Sequence, residues 1–150
     1  MERNTLISKC IKVEQSATSI YKYMMKQFPE HKDFWQGLFN DEIEHVSFLR
    51  DVISLNLKDE LHKIDLLPSL PTINMALELA DNITGKIKSG PVSLDEALAM
   101  TLELEETMIE TYTNKIIANL ISCDDENGYK NIVSDEKNHL NKIKKMINTL

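Results

Sequence analysis

Two five-residue stretches, DEIEH at 41–45 and DEKNH at 135–139, each place a glutamate three residues before a histidine. On a helix that spacing puts both side chains on one face, about one turn apart, where a carboxylate and an imidazole can grip the same ion. Glu42 with His45, and Glu136 with His139, are therefore candidate metal ligands. Mixed oxygen and imidazole donors suit iron or manganese, and zinc as well, because ligand type disfavours soft metals without separating these three.

Ligands of this kind need helices to position them. Apolar residues recur at three- and four-residue intervals over 5–28, 31–57, 94–122 and 127–149, and no segment alternates as a strand, which predicts an all-α chain. Pro29 ends the first helix and leaves a very short connection, so the first two helices should form an antiparallel hairpin. Pro68, Pro71, Gly85, Gly90 and Pro91 then punctuate roughly 35 residues, too many for a simple turn. The chain is expected to cross the bundle there, with a short fifth helix presenting Ile73, Ala76, Leu77, Ala80, Ile83 and Ile87 on one face. Ser93 and Glu96 read as a capping box opening the third long helix, and Asp124, Asp125, Asn127 and Gly128 as the turn before the fourth. The expected architecture is a four-helix bundle with one long crossover, as a single domain over residues 1–150.

Each helical residue advances by about 100°, so charged residues can be placed against the apolar stripes. Glu42 falls among Trp35, Leu38, Phe39, Val46, Leu49 and Ile53, with His45 one turn along. Glu136 falls among Tyr129, Ile132, Val133, Leu140, Ile143 and Ile147. Glu14 shares its stripe with Ile7, Cys10, Ile11, Ala17, Tyr21 and Met25. In the third long helix Glu103, Glu105, Glu106 and Glu110 crowd together, but only Glu105 points with Leu98, Leu102, Ile109, Tyr112 and Ile116. Glu103 lies nearly opposite, and Glu106 sits at the margin, as an extra movable carboxylate or a solvated flank. A weak internal repeat agrees with Glu105: VEQSATSIY at 13–21 and LEETMIETY at 104–112 both place a tyrosine seven residues after the glutamate. Each half of the chain is then a helix with one Glu followed by a helix with Glu-x-x-His, implying a pseudo-two-fold site. Glutamate is seldom fully buried, and an isolated buried carboxylate is expensive to desolvate. Two divalent cations would balance four such charges.

Composition narrows the remaining choices. With 150 residues, 42% of them hydrophobic, and only four glycines and four prolines, the chain can bury one sizeable core. A formal charge of -7 disfavours nucleic acid and anionic membranes as partners. Cys10 and Cys123 lack Cys-x-x-Cys spacing, which argues against a disulfide scaffold, a zinc knuckle or a rubredoxin-type iron site, and both read as ordinary buried thiols. Charges interrupt the apolar residues near the N-terminus and no run reaches eighteen apolar positions, so neither a signal peptide nor a membrane span is expected and the location expected is cytoplasmic. His31 and His62 have no acid at ligand spacing on an inward stripe and read as surface residues. Met24 and Met25 read as core filler rather than haem ligands.

The DEIEH and DEKNH pieces, with their partner glutamates, make the chain resemble the rubrerythrin and bacterioferritin branch of the ferritin-like superfamily across all four long helices. The resemblance implies two irons inside the bundle, with Glu14 and Glu105 as terminal ligands, Glu42 and Glu136 as bridging ligands, and His45 and His139 giving one imidazole to each metal. It also implies that Tyr21 and Tyr112 orient the ligand carboxylates by hydrogen bonding. The chain departs from rubrerythrins proper in lacking a four-cysteine electron-delivery module, so electrons must come from an external donor protein. The function this implies is non-haem di-iron oxidoreduction, with peroxide or dioxygen as substrate and a homodimer as the assembly. The alternative is ferrous-ion oxidation and storage within a hollow multi-subunit shell.

Overall fold

The computed structural model describes residues 3–54, 69–108 and 140–149, and its first two helices turn back on each other at Pro29. Helix α1 spans Arg3–Gln27 and α2 spans Lys32–Ser54, with Phe28 and the 3-10 turn Pro29–His31 between them. Proline suits the start of that turn because its missing N–H has no helical partner there to lose. The Phe28 N–H donates to the Met24 carbonyl at 2.9 Å and the His31 N–H to the Phe28 carbonyl at 3.0 Å, so the reversal satisfies its own backbone. The Tyr21 and Trp35 rings face each other, with centroids 6.2 Å apart. Seven residues away from each, in opposite directions along the two helices, Glu14 meets the Glu42–His45 face, which makes the hairpin antiparallel.

The helix beyond residue 68 is longer than the sequence suggests. Helix α3 runs Leu70–Ser89, twenty residues rather than a short segment. Ser69 caps it, its hydroxyl accepting the Thr72 N–H at 3.3 Å. Pro71 stands in the first turn, where no intrahelical N–H is required, so it opens the helix instead of interrupting it. Gly85, expected as punctuation, lies inside α3, and the helix ends at Gly90. Helix α4, Leu94–Met108, begins at the expected cap, with the Ser93 hydroxyl accepting the Glu96 N–H at 3.1 Å. The Glu96 carboxylate lies 3.6 Å from the Lys86 ammonium, tying the end of α3 to the start of α4. Helix α5 covers 140–148. The described residues contain no strand, and no described helix is long and apolar enough to cross a membrane. The expected helical stretches 55–57, 109–122 and 127–139 lie outside the described residues.

Helix α1 is the hub, packing against α2, α3 and α4. Its buried arc is correspondingly wider than one stripe, taking in Val13 and Ile20, which lie about 100–120° around the helix from Glu14. That shift buries Met24 completely and leaves Met25, placed on the stripe by periodicity, only half-buried. Helix α3 contributes Ile73, Ala76, Ala80, Ile83 and Ile87, with Leu77 half-buried at the edge. In α4 the buried positions are Ala97, Leu98, Thr101, Leu104 and Glu105, so Leu104 is the deeper leucine and Leu102 a flank. The edge of α4 that meets α1 and α3 sets this rotation. Burial of Thr101 leaves no stray donor, because its hydroxyl bonds the Ala97 carbonyl at 2.7 Å. Ile143 brings α5 into the same core.

Candidate metal centre

Helical phase sorts the DEIEH stretch into two sides. Glu42 is 0% exposed and His45 8%, whereas Ile43 is 46% exposed and Glu44 faces solvent. Glu14 of α1 and Glu105 of α4 are likewise buried. Three helices thus each deliver one glutamate to the interior, and α2 adds a histidine one turn after its own. Glu103 and Glu106, the neighbours of Glu105 in sequence, are both exposed. Of the two readings of Glu106, an extra movable carboxylate or a solvated flank, its exposure favours the solvated flank. Burial of Ala97, Thr101 and Leu104 rotates α4 so that Glu106 turns outward.

The hairpin brings Glu14, Glu42 and His45 together. His45 Nδ1 lies 3.4 Å from Glu42 Oε2 and 3.7 Å from Glu14 Oε2. Each of the three residues offers a donor atom, and these atoms all lie within 4.8 Å of one another. Such separations are long for charge-assisted hydrogen bonds, which favour about 2.7–2.9 Å. They suit donors around a shared ion, since atoms each about 2.1 Å from a metal stand about 3.0–3.4 Å apart at octahedral or tetrahedral angles. Glu42 Oε1 is buried and has no hydrogen-bond partner among the described residues. Leaving a buried polar atom unsatisfied costs about 1–3 kcal/mol, more for a charged group, which a cation would offset. Oxygen donors with one imidazole, dry surroundings and an unmatched carboxylate oxygen fit a divalent metal. This buried group could hold one.

Glu105 is held differently. Its Oε1 accepts a hydrogen bond from the Tyr21 hydroxyl, joining α1 to α4 across 84 positions of sequence. Tyr21 thus orients a carboxylate of the opposite half of the internal repeat, a pairing no local pattern reveals. An aromatic wall fixes the tyrosine: Trp35 lies beside it, with Phe34 edge-on to Trp35 at 4.9 Å and Phe28 at 6.3 Å. Tyr112, Glu136 and His139 lie outside the described residues.

Cys10 is one helical turn from Glu14 and fully buried. Burial, and secondarily the Glu14 charge, push its thiol up to about 12. The sequence reading takes Cys10 as ordinary core filler, although its four-residue spacing from Glu14 already signals the contact. No family model, no curated protein and no solved structure matches the chain, so the case for its function rests on these residues.

Proposed function

We propose that this chain is a non-haem di-iron oxidoreductase with a ferritin-like four-helix bundle and one long crossover, akin to the rubrerythrins, and that its substrate is peroxide. The observation carrying this reading is the convergence of Glu14, Glu42 and His45 in the interior, with Glu105 entering from a third helix. Glu14, Glu42 and His45 would hold one iron; Glu105, with the sequence candidates Glu136 and His139, would complete the ligands for a second. Two bound ferrous ions would supply one electron each, which with two protons from solvent would reduce peroxide to two waters, and an external donor protein would return the electrons. The chain's own residues do the rest. Glu14 and Glu42 provide negative charge in a dry site, where its attraction for a cation is little screened by water. His45 adds a neutral donor. The Tyr21 hydroxyl fixes the Glu105 carboxylate, and the Trp35 cluster excludes water on that side.

The experiment is metal analysis of protein purified without an affinity tag, followed by its optical spectrum on addition of peroxide. Two irons per chain and a peroxide-dependent change are expected. Glu42→Ala should lower the stoichiometry by at least one metal per chain while the helical circular dichroism persists; an unchanged stoichiometry of two would refute the ligand assignment. Because ligating groups must be deprotonated, iron retention should also fall as the buffer is acidified.

A further inference from the structure

The aromatic wall holds one polar atom that the metal centre does not use. Trp35 is 0% exposed, and its indole Nε1 is buried with no hydrogen-bond partner among the described residues. An indole N–H only donates, and buried donors in folded proteins almost always meet an acceptor, since the unfolded chain would have bonded them to solvent. The acceptor that fits here is small and uncharged. Rings of Tyr21, Phe28 and Phe34 pack about the indole at centroid distances of 6.2, 6.3 and 4.9 Å, which favours a guest the size of water. A cation is repelled by the N–H proton, and an anion by buried carboxylates such as Glu42, two turns or about 10 Å further along α2.

We propose that an enclosed water molecule accepts the Trp35 N–H and donates in turn to the Tyr21 hydroxyl oxygen. A buried water needs two or more polar partners, and of the three rings around the indole only Tyr21 bears a polar group. A phenolic oxygen that gives its proton to Glu105 still carries lone pairs that accept. Three donors then run in one direction, indole to water to phenol to carboxylate, and each polarises the next. Trp35 is thus a positioning residue, reaching Glu105 through the water and Tyr21. The ring cluster keeps bulk solvent out while holding this one molecule. The water does not depend on iron; only the role of Glu105 as a ligand rests on the di-iron reading above.

The test uses the full metal-free chain, isotope-labelled at its single tryptophan so that the one indole N–H resonance belongs to Trp35. In the native chain a rotating-frame Overhauser cross-peak should join the indole proton to water, with the sign that marks a bound molecule rather than proton exchange. Tyr21→Phe should remove that cross-peak, because the water loses its second partner. Biosynthetic incorporation of benzothienylalanine then swaps the N–H for sulfur at nearly constant shape. Loss of a donor that bonds water should lower the urea midpoint, whereas loss of a donor that bonds nothing should raise it. Far-UV circular dichroism checks the folding of each protein; should Tyr21→Phe unfold, the native cross-peak and the sulfur-for-nitrogen midpoint still decide. A native indole without the cross-peak, a cross-peak that persists in folded Tyr21→Phe, or a raised or unchanged midpoint would overturn the proposal. None of these outcomes touches the metal centre, which stands or falls on iron stoichiometry.

Discussion

Cys10 and Glu14 stand one turn apart on α1, and each constrains what the other can do. A thiol that holds its proton up to about 12 is neither a nucleophile nor a soft-metal ligand at neutral pH. In a Cys123→Ser background, native protein should react with a thiol-specific disulfide reagent at pH 8 only at its rate of unfolding, and at once in denaturant. The sign of the pH dependence follows from the raised thiol. Above pH 9 the unfolded chain releases this proton while the folded chain keeps it, so stability falls as pH rises from 9 toward about 12. Cys10→Ala should flatten that alkaline decline in urea-melt measurements. At this scale much was legible beforehand: a 100° step per residue is enough to turn Glu105 inward and Glu103 outward. The bond from Tyr21 to Glu105 was not, because contacts between residues 84 apart depend on how helices are laid together.

Among the elements, α3 best shows where sequence and structure part. Pro71 and Gly85 look like breaks, yet a proline in the first turn forfeits no hydrogen bond, and a single interior glycine only weakens a helix. The apolar face from Ile73 to Ile87, packed along α1, outweighs both. Gly85 is exposed, and a methyl group built there would meet nothing within 4 Å. Gly85→Ala should therefore raise unfolding free energy by about 0.5–1 kcal/mol in chemical denaturation. Ser93→Ala should lower it by about 1 kcal/mol, because the Glu96 N–H loses its cap. Equal effects of the two substitutions would contradict this account of the α3–α4 corner. The hairpin, by contrast, was readable in full, since Pro29 and the two flanking stripes specify it locally.

For the whole molecule, the buried carboxylates make stability and ligand binding one question. A cation held only by the folded state at a hundredfold excess over its dissociation constant adds about 2.7 kcal/mol. For a chain of this size that corresponds to roughly 5–10 °C in calorimetric midpoint, and chelation should reverse it. Glu42→Ala should abolish the shift while keeping a cooperative transition. The helical character of the described residues and the inward turn of Glu14, Glu42 and Glu105 were visible in the period of the sequence; the wide buried arc of α1 was not, because it reflects three neighbours at once.

Trp35 is the chain's single tryptophan, and its ring partners among the described residues, Tyr21, Phe28 and Phe34, belong to the opening hairpin or its turn. Its emission is consequently a private reporter of that pair of helices, while backbone ellipticity averages over all of them. Quenching by cobalt would read occupancy of the nearby carboxylates, and a stopped-flow mixing trace could time when the pocket closes during refolding.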